Sequence, residues 1–156
     1  MLDRPARRSP GSRSALATVL AYSSFPSGHV AKAYNEAAFR YFLAVDWRRA
    51  KRSTRSLLLV LVTARLQPDG WVKLPDATAA AVFSALATCL REVDFIGWYR
   101  DRYVAGAVLP QGPNKSEDVR QRTEDRLVKV LRERLSPDWS ERLRVRVIRL
   151  GGDDRL

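Results

Sequence analysis

The chain of 156 residues has one cysteine, Cys89, one histidine, His29, and no long apolar run. A single cysteine excludes an internal disulfide, and one cysteine with one histidine cannot build a Cys/His zinc site. The longest apolar run, Leu57 to Val62, is far shorter than the roughly 18 residues that a membrane-spanning helix needs. We therefore expect no metal site of this kind and no membrane span in this sequence, and we predict a soluble, cytoplasmic protein.

Acidic residues are also few. The 17 Asp and Glu residues face 28 Lys and Arg residues, which gives a net charge of +11, and 23 of those cations are arginine. The planar guanidinium suits phosphate-bearing and other anionic partners, which include DNA, RNA and acidic lipid. No recognition-helix or RNA-binding signature accompanies the arginines, so nucleic acid is not the predicted partner.

The two ends of the chain differ in composition from its middle. Residues 1–27 combine four arginines with proline, glycine and serine, a mixture that predicts a flexible basic arm. Residues 28–150 carry the periodic apolar patterns of one folded domain, and 46% of the whole chain is apolar, enough to form a core. Residues 151–156 are predicted to be a C-terminal tail.

The predicted domain begins with a helix and a buried strand. From Val30 to Arg52 the apolar residues recur at steps of three and four, and the cations at the end suit the helix dipole. The continuous apolar run Leu57 to Val62 predicts a central strand covered on both faces. Asp76 then predicts the N-cap of a second helix, on whose inner face Cys89 is a core residue.

The second half of the domain predicts a hairpin, a helix and a last strand. Two β-prone runs, 94–99 and 103–109, flank the polar residues 100–102. A helix of roughly twenty residues follows and stops at Pro137. From Leu143 to Leu150, apolar residues alternate with arginine, as in a strand with one wet face. This order predicts an α/β fold with a mixed central β-sheet flanked by helices.

Several of these features occur together in one known family. Asn35 and Phe39 stand four residues apart in the first helix, the run Asp94-Phe-Ile-Gly-Trp-Tyr leads into the hairpin, and the hairpin closes on Val108-Leu-Pro. In this order the chain resembles the GGDEF domain of bacterial diguanylate cyclases, over about residues 30–150. The resemblance implies a nucleotidyl-cyclase-like fold and a role in cytoplasmic signalling.

The catalytic parts of that family are replaced here. The hairpin turn of the family reads Gly-Gly-Asp/Glu-Glu-Phe, with a carboxylate on the metal, and the preceding strand ends in a metal-binding Asp-Ile-Asp-like stretch. The strand end here reads Val62-Thr-Ala-Arg-Leu, and a turn register shifted by one, Asp101 to Ala105, does not restore the acidic pair. The residues of the degenerate signature are Arg100, Asp101, Arg102, Tyr103 and Val104. Because magnesium-assisted phosphoryl transfer needs hard oxygen ligands, the resemblance implies a non-catalytic relative, with no catalytic residue, metal or cofactor.

One functional element of the family is present. Arg91 and Asp94 form an Arg-x-x-Asp sequence five residues before the turn, the spacing of the inhibitory site that binds cyclic di-GMP in the family. An arginine fork can bind the O6/N7 edge of guanine, and a carboxylate can accept from guanine N–H groups. Arg122 and Arg126 are the family-like candidates for further cations. The alternative interpretation is a surface ion pair between Arg91 and Asp94.

Two hypotheses follow from the sequence. The first is a cyclic di-GMP receptor domain, and the second is a structural pseudo-enzyme domain that contacts a protein partner, or a fused or associated signalling component, without binding nucleotide. A homodimer is compatible with both.

Overall fold

The computed structural model describes residues 22–23, 33–65, 70–89, 94–112 and 117–151. The elements in chain order are β1 Tyr22–Ser23, β2 Ala33–Tyr34, α1 Glu36–Lys51, β3 Ser56–Ala64, α2 Asp76–Thr88, β4 Phe95–Arg100, β5 Val104–Pro110, α3 Glu117–Arg134, α4 Pro137–Arg142 and β6 Leu143–Gly151. The described strands form one six-stranded sheet in the order β1-β2-β4-β5-β3-β6. The predicted α/β class, with a mixed sheet flanked by helices, is confirmed.

Strand β3 lies inside the sheet, as its continuous apolar run predicts. It pairs antiparallel with β5 on one side and with β6 on the other. Its residues alternate between two cores: Leu58 and Val60 pack with α2 and α3 on one face, and Leu57 and Leu59 pack with α1 on the other. A strand buried on both faces has no position that favours a polar side chain.

Helix α1 begins later than the predicted Val30. Asn35 is its N-cap, and the Asn35 Oδ1 accepts a hydrogen bond from the Ala38 N–H at 2.9 Å. Ala33 and Tyr34, which the apolar spacing assigns to this helix, instead form β2. The predicted start is therefore wrong, because a cap and not the apolar period determines where the helix begins.

Helices α2 and α3 cover the opposite face of the sheet from α1. Phe83 packs edge-on against Trp98, with ring centroids 5.0 Å apart, and Leu127 of α3 is fully buried in the same core. The N-cap of α2 is Pro75, so the predicted cap at Asp76 is wrong by one residue. Pro137 follows α3, but it also occupies the first turn of the short helix α4.

A few residues of the predicted arm and tail take part in the sheet. Tyr22 and Ser23 belong to the predicted arm, yet they pair antiparallel with β2, which in turn pairs in parallel with β4. Gly151, predicted as the first residue of the tail, is the last residue of β6. The other residues of the predicted arm and tail lie outside the described residues. Among the helices that are described, none is long and apolar enough to cross a membrane.

Candidate ligand site and the hairpin edge

The β4–β5 hairpin turn contains the residues of the predicted degenerate signature. Arg100 pairs with Val104, and the three residues between them form the turn. The Tyr103 N–H donates to the Arg100 carbonyl at 3.1 Å. Ala105, which the alternative register includes, already pairs with Trp98 in the strand ladder. At the tip, Arg102 has φ +63°, the left-handed region that favours glycine.

The turn is attached to the segment that leads into α2. The Arg102 carbonyl accepts a hydrogen bond from the Leu74 N–H at 2.7 Å. The Arg102 Nη1 lies 3.5 Å from the Asp76 Oδ1, in a pair whose side chains are 50% and 79% exposed. Solvent screens such an exposed ion pair, so the backbone hydrogen bond is the firmer of the two attachments.

The end of β3 lies directly beside this turn. Thr63 pairs with Val104, and the Ala64 carbonyl accepts a hydrogen bond from the Val72 N–H at 3.0 Å. Arg65 then forms an antiparallel bridge with Trp71. We call the described residues 63–65, 70–76 and 100–104 the hairpin edge. The described side chains of this strand end, Thr63, Ala64 and Arg65, carry no carboxylate.

The described side chains of the hairpin edge do not suit the magnesium ion that the intact GGDEF signature would hold. Hard divalent cations select several carboxylate and carbonyl oxygens. The acids among the described residues of the edge are Asp76 and Asp101, and Asp76 lies against the Arg102 guanidinium. The cations of the edge are Arg65, Lys73, Arg100 and Arg102. Across the described parts of the chain, no three His, Cys, Asp or Glu side chains gather where they could hold a metal.

The predicted Arg91–Asp94 site lies at the other end of β4. Asp94 immediately precedes β4 and is half-buried. Arg91 belongs to the segment 90–93, which lies outside the described residues. The approach of Arg91 to Asp94 therefore stays a prediction.

Arg126 on α3 interacts electrostatically with Cys89, the C-cap of α2. Burial raises the pKa of the Cys89 thiol, and the guanidinium groups of Arg126 and Arg134 oppose this rise, so both cations are within electrostatic reach of Cys89. Arg122 is exposed one turn earlier on α3, and its Nε donates to the Asp118 carbonyl at 3.2 Å. Arg126 is exposed as well.

Arg134 joins α3 to α2 through a contact that the apolar periodicity of the sequence does not indicate. Its guanidinium donates to the Ser84 Oγ and, at 2.9 Å, to the Thr88 Oγ1. Ser84 and Thr88 are four residues apart on α2, so their hydroxyls lie on one side of that helix. This spacing is the one signal in the sequence for the contact, which joins α3 to α2 beside Cys89.

No family model and no curated protein matches the sequence. Solved structures are similar in fold. The GGDEF domain of FimX from Pseudomonas aeruginosa superimposes with a TM-score of 0.60 at 15% identity, covering 85% of each chain.

The diguanylate cyclase SiaD of Pseudomonas aeruginosa, solved in complex with its activator SiaC, superimposes with a TM-score of 0.55 at 16% identity. The match covers 89% of this chain and 54% of SiaD, so the chain spans about half of SiaD. Likeness at this identity establishes the fold, and it confirms the GGDEF-like architecture that the motifs predict.

Proposed function

We propose that the chain is a non-catalytic, GGDEF-like signalling domain of the bacterial cytoplasm, and that it binds cyclic di-GMP through Arg91 and Asp94, with Arg122 and Arg126 as further cations. The observation that carries this proposal is the placement of Cys89 and Asp94. These residues flank the segment 90–93 that contains Arg91, and Arg126 is within electrostatic reach of Cys89. In the sequence, an acceptor at Asp94 directly follows the segment that supplies the arginine fork, and a cation lies near Cys89, which directly precedes it.

The chemistry of these groups fits a guanine dinucleotide. The Arg91 guanidinium can bind the O6 and N7 acceptors of guanine with two parallel hydrogen bonds. The Asp94 carboxylate can accept from guanine N–H groups, and Arg126 and Arg122 can attract the phosphates. Guanine then has a donor for its O6 and N7 atoms and an acceptor for its N–H groups, and the phosphates of the dinucleotide have cations.

The composition of the hairpin edge supports the non-catalytic part of the proposal. A cyclase of this fold needs carboxylates at the strand end and close backbone access at the turn. The strand end here carries buried Val62, Thr63 and Ala64 side chains. In the degenerate signature, Arg100 and Asp101 stand where the family has its two glycines, and Arg102 stands where it has the metal-binding carboxylate. We expect the purified chain, incubated with GTP and Mg²⁺ or Mn²⁺, to form no cyclic di-GMP above a protein-free blank, and product above the blank would contradict this.

Calorimetric titration of the full chain with cyclic di-GMP tests the binding site. Arg91→Lys keeps the positive charge and loses the planar fork, so it should weaken binding nearly as much as Arg91→Ala, by about 1–3 kcal/mol. Asp94→Asn should also weaken binding, because guanine loses its charged acceptor. Arg132→Ala, which removes an exposed cation elsewhere on α3, is the matched control and should have little effect.

Two results would contradict the receptor proposal. One is the absence of binding at ligand concentrations of tens of micromolar. The other is tighter binding by Asp94→Asn, since removal of a negative charge strengthens attraction that depends on net charge alone. The second candidate function, a pseudo-enzyme domain that contacts a protein, would then be favoured. The complex of SiaD with a protein activator shows that a protein containing this fold can have such a partner.

A further inference from the structure

The side of α1 that faces away from the sheet has an unusual composition. Phe39, Leu43 and Ala50 turn inward and are buried. We call the exposed residues of α1 and of its C-cap the α1 outer face. They are Ala37, Arg40, Tyr41, Ala44, Trp47, Arg48, Arg49, Lys51 and Arg52. The α1 outer face thus combines cations, two aromatic side chains and two alanines.

The two aromatic side chains on this face are open to solvent. Tyr41 is 58% exposed and Trp47 is 38% exposed, which places both among the large exposed hydrophobic residues of the described chain. The Lys51 Nζ lies 4.4 Å from the centre of the Trp47 ring. Amphipathic rings beside lysine and arginine are typical of protein surfaces that meet the boundary between water and lipid.

Each of the two acids of α1 pairs with one of these cations. Glu36 forms an ion pair with Arg40 at 3.3 Å, and the Arg40 Nε also donates to the Tyr99 carbonyl at 2.8 Å. Asp46 is half-buried beside Arg49, 3.8 Å away. No acidic side chain among the described residues forms an ion pair with Arg48, Lys51 or Arg52. Positive charge is therefore uncompensated at the C-terminal half of the α1 outer face.

This charge disfavours two occupants. A second copy that presents the same face would bring its cations against those of the first. Residues 1–27 of the chain itself carry four arginines and would be repelled in the same way. The occupant must be anionic.

We propose that the α1 outer face docks on an anionic lipid surface. The face is the convex side of one helix, with small alanines between the cations, and it therefore suits a broad surface better than a groove. Its exposed tryptophan and tyrosine rings suit the apolar boundary of a membrane better than the charged backbone of a duplex, which makes nucleic acid the poorer match. Cations that attract lipid headgroups, with tryptophan and tyrosine at the boundary, are the combination that holds a helix in the plane of a membrane.

Sedimentation of the full chain with lipid vesicles tests this. The vesicles contain phosphatidylglycerol and phosphatidylcholine in equal parts, and vesicles of phosphatidylcholine alone provide the comparison. Each cation near an anionic surface strengthens binding about fivefold, so Arg48→Gln with Lys51→Gln should weaken it about 25-fold. The matched control is Lys129→Gln with Arg132→Gln on α3, which removes the same two charges from exposed positions.

The aromatic contribution has its own measurement. Trp47→Phe should abolish most of the change in tryptophan emission that vesicles cause, because Trp47 is the tryptophan at the contact. Tyr41→Ser should weaken binding without any change in charge. Thermal unfolding of each variant establishes that it is folded.

Several outcomes would overturn the proposal. Equal losses in the α1 and α3 double variants would show that only net charge matters. Binding to phosphatidylcholine alone, or no binding to the anionic vesicles, would exclude the anionic lipid surface. Binding of duplex DNA or RNA that depends on Arg48 and Lys51, without binding of vesicles, would make nucleic acid the occupant. A dimer in sedimentation velocity that these two substitutions dissociate would make it a second copy.

Discussion

Substitution of Gly106 by alanine tests how tightly α1 packs on the sheet. Gly106 on β5 pairs with Gly97 on β4, and the Phe39 ring lies over both. A Cβ at Gly106 would lie 2.7 Å from the Phe39 Cζ, closer than real Cβ atoms approach other atoms, and 3.0 Å from its Cε1, which is an unusually tight contact. Phe39 is fully buried and has Phe95 and Tyr99 at ring-centroid distances of 5.5 and 6.5 Å. The ring therefore has little room to move.

Overpacking of this kind costs about 1–3 kcal/mol of stability. For a domain of this size, 1 kcal/mol corresponds to about 2–4 °C in Tm, so we expect Gly106→Ala to lower Tm by about 2–12 °C. Urea denaturation should give the same loss in free energy of unfolding. Gly70→Ala is the matched control, because a Cβ at Gly70 meets nothing within 4 Å and should change stability by less than about 0.5 kcal/mol.

A double-mutant cycle identifies the cause of the loss. Phe39→Leu removes the ring that the new methyl group would meet, so Gly106→Ala should cost less in that background. We expect a favourable coupling of about 0.5–3 kcal/mol. Strictly additive losses in the free energy of unfolding would refute the packing argument. A Gly106→Ala variant with the same Tm as Gly70→Ala would refute it as well.

Three further predictions concern the turn and the two groups with shifted pKa values. Arg102→Gly should not lower Tm, because glycine adopts φ +63° without strain, whereas Arg102→Val should lower it; equal Tm values for the two would contradict this. The rate of Cys89 alkylation should reach half its maximum at a higher pH than for an ordinary thiol, and Arg126→Gln should raise that midpoint pH further. An unchanged midpoint pH in Arg126→Gln would show that Arg126 is too distant from the thiol to affect it. Burial raises the folded-state pKa of Asp46, so the stability linked to its protonation is present at low pH and is lost as pH rises through that pKa. The free energy of unfolding of Asp46→Asn, relative to that of the unsubstituted chain, should therefore rise between about pH 3 and pH 7. Urea denaturation in which this difference stays constant or falls over that range would contradict the prediction.

Local patterns were sufficient to predict most of the elements. The apolar run of β3 and the alternation in β6 are properties of the residues themselves, and both strands form where they are predicted. Element ends were less predictable, because a single cap determines them. Asn35 begins α1 through one hydrogen bond, and Pro137 can start a helix because its first turn needs no N–H from that residue.

Contacts between distant segments could not be predicted from those patterns. The pairing of Tyr22–Ser23 with β2 depends on where the chain returns to the sheet, and nothing in the composition of the arm indicates it. Likewise, Arg134 meets Ser84 and Thr88 because α3 packs on α2. The positive φ of Arg102 is a property of the three-residue turn, since arginine has no preference for that conformation.

The hairpin edge and the proposed nucleotide site are separated by the full length of β4. Asp94 precedes this six-residue strand and Arg100 ends it, so about 20 Å of extended backbone lies between them. A ligand that contacts Asp94 therefore does not reach Arg102 directly, and replacement of the residues at the turn does not require any change at the other end of the strand. For the same reason, Arg102→Gly should leave the affinity for cyclic di-GMP unchanged in the calorimetric titration. A large change in that affinity would mean that β4 and α2 transmit a rearrangement of the turn to Asp94, and the two ends of the strand would then have to be treated as one coupled site.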